Sequence, residues 1–127
     1  MHKLLLIPLV LAVTACASGG ASKSSSPNDR SVLTSEDIQR TGSTDAYSAV
    51  QALRPQWLTR RGTATINMRE TIMVYLDGNL MGGPEQLRHI NTHSISTIRH
   101  MDGLEATQRY GLDHGQGAIL VYTRVGR

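Results

Sequence analysis

The chain has 127 residues, a formal net charge of +3, 4% aromatic residues and one cysteine. Its thirteen Lys and Arg are scattered and there is no Phe, so the composition excludes a nucleic-acid groove of clustered charge and stacking rings. One cysteine excludes an intramolecular disulfide and an all-thiolate metal centre. A domain of this size buries roughly 60–65% of its unfolded surface and must hold by packing alone.

The chain opens on a short basic stretch, His2-Lys3, and an apolar run from Leu4 to Val13. That run is too short to span a bilayer and reads as a secretory signal. Val13-Thr14-Ala15-Cys16 closes it and resembles the lipobox of bacterial lipoproteins. The resemblance implies cleavage before Cys16 and acylation of its thiol, with palmitate among the chains added. Residues 1–15 are then a signal peptide. Ala17 follows the lipid-bearing position in place of the aspartate that retains lipoproteins in the inner membrane, which favours the outer membrane. Residues 16–31 are Gly-, Ser- and Ala-rich and read as a flexible linker. As a Gly/Ser-type coil its root-mean-square span is roughly 20 Å. Residues 32–127 form one domain, with no further apolar segment long enough to cross a membrane.

Within that domain, Val32-Leu33-Thr34 reads as a short strand, and Thr34 or Ser35 caps a helical turn through Gln39 that Gly42 breaks. Thr44 reads as the N-cap of a helix through Leu53, which Pro55 ends. Trp57 and Leu58 fold back over that helix, and Arg60-Arg61-Gly62 makes a turn. Ile72 to Leu76 is a continuous apolar run, a strand covered on both faces, closed by the turn Asp77-Gly78. Met81-Gly82-Gly83-Pro84 reads as a loop, with Pro84 opening a short helix through Leu87 and Ile90. Ile95 to Met101 is a strand. Asp102-Gly103 leads into a helix from Leu104 to Tyr110, stopped by Gly111. A loop, Leu112 to Gly117, precedes the last strand, Ala118 to Thr123. The pattern is a small α/β (α+β) domain with a mixed sheet and short helices.

Little in this pattern points to catalysis. His89 and His93 stand four apart, a spacing used by helical zinc sites, but they lack a third ligand, and the mature chain's histidines read as solvated. Asp77 is better explained as a turn residue than as a catalytic carboxylate. Gly111, Gly115 and Gly117 lack the lysine and following helix of a phosphate-binding loop. There is no nucleophile elbow. Trp57, Tyr75, Tyr110 and Tyr122 read as core fillers. No catalytic residue, metal ligand or cofactor is assigned, and the chain reads as a non-enzyme.

The second half resembles the plug domain of TonB-dependent outer-membrane receptors, in three ordered blocks. Val74-Tyr75-Leu76-Asp77-Gly78 is similar to the family's strand ending in a V-D-G turn. Ile95 to Gly103 is similar to its I-x-x-I-E-V-L-x-G strand, with Arg99 in the glutamate position. Leu104 to Gly111 followed by Gly117 to Arg124 is similar to its helix ending in Y-G and its G-x-I-x-I-x-T-K/R strand. The resemblance implies a plug-like fold over residues 32–127, and an accessory role in TonB-dependent uptake by contact with a receptor barrel or the energising complex. The expectation is a lipid-anchored binding module at the outer membrane, facing the periplasm. Its candidate contact residues lie in two loops: Asp77, Gly78, Asn79, Gly82 and Gly83 in one, and Asp113, His114 and Gln116 in the other.

Overall fold

A computed structural model describes residues 30–60 and 71–124. The first strand, β1, spans Val32–Thr34 and runs directly into the helix α1, Ser35–Arg40. Thr34 caps α1 in a reciprocal box. Its hydroxyl accepts from the Asp37 amide at 3.3 Å, and the Asp37 carboxylate accepts from the Thr34 amide at 3.2 Å. The turn after α1 uses Gly42 at φ +67°.

The second helix, α2, spans Ala46–Leu53 and is capped by Asp45, one residue later than Thr44. The Asp45 carboxylate accepts from both the amide and the hydroxyl of Ser48, each at 2.9 Å. A carboxylate also complements the positive end of a helix, which a threonine does not. The Thr44 carbonyl is used elsewhere and accepts from the Thr92 amide at 3.1 Å. Pro55 opens a 3-10 turn, Pro55–Trp57. Arg61 and Gly62 of the expected turn lie outside the described residues.

Strand β2 (Met73–Leu76) and strand β3 (Asn79–Gly82) form a hairpin across Asp77-Gly78. Both turn residues have positive φ, 47° and 86°. This is the two-residue turn whose twist matches that of the flanking strands. The loop expected at Met81-Gly82-Gly83-Pro84 is therefore corrected, since Met81 and Gly82 complete β3. Val74 pairs with Gly82 and Tyr75 with Leu80, which leaves Met81 as the extra residue of a bulge. Two 3-10 segments follow, Pro84–His89 and Thr92–Ser94. Strand β4 (Ile95–Met101) leads through the N-cap Asp102 into helix α3, Gly103–Tyr110. Gly111 stops α3 at φ +109°, a 3-10 turn covers Leu112–His114, and β5 spans Ala118–Thr123.

The five strands form one mixed sheet in the order β1-β4-β5-β2-β3. β5 lies at its centre, antiparallel to β4 and parallel to β2. The arrangement is a small α+β fold, as its sequence pattern implies. One face of the sheet presents Leu33, Val74, Ile98, Ile119 and Val121 to Ile38, Ala49, Val50, Trp57, Leu87 and Ile90 of the helical segments. The other face presents Tyr75, Met101, Ala118 and Leu120, and over it lie α3, with buried Ala106, and the 3-10 turn Leu112–His114, with buried His114. β2 is covered on both sides, with Val74 and Tyr75 both buried.

Candidate functional site

Strand directions separate the candidate residues. β3 runs back from the hairpin turn, so Asp77, Gly78 and Asn79 stand at one end of the sheet and Gly82 and Gly83 at the other. β5 is parallel to β2, with Met73 opposite Ala118 and Leu76 opposite Val121. The loop that precedes β5, with Asp113, His114 and Gln116, therefore lies at the same end as Gly82. Four residues at about 3.3 Å each put roughly 13 Å between the two ends. The eight residues thus form two groups.

At the hairpin end, Asp77, Gly78 and Asn79 are exposed. The Asp77 carboxylate already has partners, because it accepts from the Thr123 amide at 2.8 Å and the Thr123 hydroxyl at 2.6 Å. The hydroxyl first, and then the amide, hold its pKa below the ordinary carboxylate value. Asp77 thus fastens the hairpin to the end of β5, consistent with its turn role.

At the opposite end, His114 is corrected from a solvated contact residue to a buried one, 7% exposed. Its Nε2 lies 2.7 Å from the Tyr75 hydroxyl. The Tyr75 and Tyr110 rings stack at 4.4 Å and 17°, and the His114 ring lies 5.4 Å from Tyr110. Burial, and then the neighbouring Tyr110, push the Tyr75 hydroxyl above its ordinary pKa. His114 Nδ1 is buried and has no hydrogen-bond partner among the described residues. His114 is the anchor of its loop, while Leu112, Asp113 and Gly115 around it are exposed.

Gln116 is half-buried and lines a polar pocket of about 40 Å³ with Gln56, Thr59, His100, Asp102, Gly103 and Gly115. That volume is enough for a few water molecules. His100 is also half-buried rather than solvated, and it stacks on the Trp57 indole at 5.3 Å and 14°. His89 and His93 are exposed as expected. They belong to two separate 3-10 segments, so they do not share a helix face. Among the described residues no group of three His, Cys, Asp or Glu side chains could hold a metal ion.

Trp57, Tyr75 and Tyr110 fill the interior as expected, whereas Tyr122 is 39% exposed and is corrected to a surface residue. The Tyr75–Tyr110–His114 cluster is invisible in the linear order. The only local sign of it is the four-residue step from Tyr110 to His114 across Gly111. Cys16 lies outside the described residues, and no described helix is long and apolar enough to cross a membrane. Compared with known proteins, the chain matches no protein-family model and no curated protein.

Proposed function

We propose that this chain is a lipid-anchored, non-enzymatic interaction module with a TonB-receptor plug-like fold, acting in the periplasm at the outer membrane. The observation that carries the reading is the placement of the three plug-like blocks. They form β2 with its Asp-Gly turn, β4 with its capped turn into α3, and β5, and these strands are neighbours in one sheet. The lipobox at Cys16 and the Gly/Ser-rich stretch after it supply the anchor. The contact element is the hairpin tip, Asp77 to Leu80, which is exposed yet held against β5 through Thr123. A rigidly mounted, exposed turn suits recognition, because little order is lost on binding.

The plug likeness also favours a second reading, an accessory of TonB-dependent uptake that contacts a receptor barrel. Crosslinking in membranes, detergent extraction and affinity purification with mass spectrometry test both, with Cys16→Ser and Leu80→Arg as controls. Enrichment of an outer-membrane barrel that is lost in both variants supports the uptake accessory. A different envelope protein, lost with Leu80→Arg, supports a general interaction module. Membrane retention of Cys16→Ser equal to the wild type refutes the anchor, and a partner set indifferent to Leu80→Arg refutes the hairpin tip.

A further inference from the structure

The exposed apolar side chains are unevenly distributed between the two sides of the sheet. The large ones among the described residues are Leu80, Met81, Leu104, Leu112 and Tyr122. Leu80 pairs with Tyr75, and Tyr122 is two residues from Leu120, so both lie on the α3 side. On α3 itself, Ala106 points to the sheet, and Leu104, two residues away on a 3.6-residue period, points outward. Leu104 is 71% exposed and Leu112, just past the end of α3, is 86% exposed. The opposite side of the sheet lies beneath α1, α2 and the 3-10 segments Pro55–Trp57 and Pro84–His89.

The N-terminal chain reaches the sheet beside this α3 surface. Val32 pairs with Arg99, and the Arg99 guanidinium is 2.7 Å from Glu105 of α3, so Val32 is on the α3 side. β1 is antiparallel to β4, so its first residue lies toward the end of β4 from which α3 departs. Only fourteen residues, 17–30, separate Cys16 from Ser31. Even fully extended they reach about 50 Å.

We infer that the α3 side, led by Leu104 and Leu112, rests on the bilayer leaflet that carries the acyl anchor; this depends on the lipid-anchored reading above. A protein partner bound from solution would need about 800 Å² of complementary surface on each side, and a few separated apolar side chains do not supply it. A domain already held near the membrane needs far less, because the tether makes the second contact intramolecular. On α3 Arg109 is exposed, and so are Asp102 before the helix and Asp113 after it. Leucine insertion rather than net charge therefore carries the contact, and salt should disturb it little. In this orientation the turn Asp77-Gly78 stands at the end of the sheet away from the tether, free for a partner, while Leu80 beside it faces the leaflet.

The test uses the acylated full chain in phosphatidylethanolamine–phosphatidylglycerol vesicles. Acylation occupies the Cys16 thiol, so Leu104→Cys, Leu112→Cys and the α2 control Gln51→Cys each carry one free thiol for an environment-sensitive dye. The expected result is severalfold lower iodide quenching at the first two positions than at the control, together with quenching by brominated lipid. Equal accessibility at all three positions overturns the inference while leaving the anchor intact. Protection that appears only at high protein density, without lipid quenching, also overturns it, in favour of contact between copies. Absence of an acyl group by intact mass overturns the anchor and this inference together.

Discussion

Gly103→Ala sets helix propensity against packing, and packing decides the sign. Gly103 is the first residue of α3, where exchanging glycine for alanine would ordinarily stabilise by up to about 1 kcal/mol. A Cβ on Gly103, however, would overlap the backbone carbonyl oxygen of Gly115. That oxygen cannot swing aside like the end of a flexible side chain, because the loop carrying it is anchored by buried His114. Forced overpacking of this kind costs about 1–3 kcal/mol. Overlap with backbone rather than a side chain puts this site in the upper part of that range, about 2–3 kcal/mol, so after a propensity gain of about 1 kcal/mol the net loss is about 1–2 kcal/mol, or roughly 4–16 °C in Tm for a domain of this size. Thermal and urea unfolding followed through buried Trp57, the single tryptophan, measure it directly. Gln108→Ala, on the exposed side of the same helix, should stay within about 0.5 kcal/mol of the wild type. A Gly103→Ala protein as stable as the wild type, or more so, refutes the packing of α3 against the Gly115 loop.

Tyr75→Phe strips His114 Nε2 of its hydroxyl partner and should destabilise by about 1–3 kcal/mol in denaturant titrations, with Tyr75→Phe/His114→Leu losing less than the two single changes summed. Because burial raises the Tyr75 pKa, its contribution is complete below the ordinary tyrosine value and is lost as pH rises through the folded value; spectrophotometric titration should show one tyrosine ionising late. Asp37, Asp45 and Asp77 all have lowered pKa values, through Thr34, Ser48 and Thr123 respectively. Their stabilisation is therefore full above the ordinary aspartate value and falls away as pH drops through the folded values, so midpoints measured down an acid series should decline there, less steeply in Asp77→Asn. Leu104→Gln/Leu112→Gln should leave the unfolding free energy within about 0.5 kcal/mol of the wild type, since both side chains are exposed; a larger loss would place them in the fold rather than on its surface.

Features carried by local chemistry were legible in the residues. Thr34 before Ser-Glu-Asp announces a capped helix, Asp77-Gly78 a tight hairpin, and the run Ala118 to Thr123 a buried strand. The same is true of Pro55, which separates α2 from the turn that buries Trp57. What was not legible depends on partners distant in the chain. β3 is a strand because β2 lies beside it, and neither periodicity nor propensity marks Asn79-Leu80-Met81-Gly82. His100 and His114 carry no local sign of burial, which they owe to Trp57 and to Tyr75 and Tyr110. The grouping of the candidate loops failed for the same reason. The parallel pairing of β2 with β5 fixes which loops share an end of the sheet, and strand order is a long-range property.

The central position of β5 has a consequence for biogenesis. During synthesis, Val32–Thr34 can pair with Ile95–Met101 and the hairpin can close on itself, but each remains a fragment with an open edge. Among the described strands only Ala118–Thr123, made after the other four, joins the fragments into one sheet and completes both hydrophobic layers. Non-local pairings of this kind form late and slowly. A sheet whose central strand follows the other four in sequence stays in pieces until that strand has been made, and locks only when it arrives.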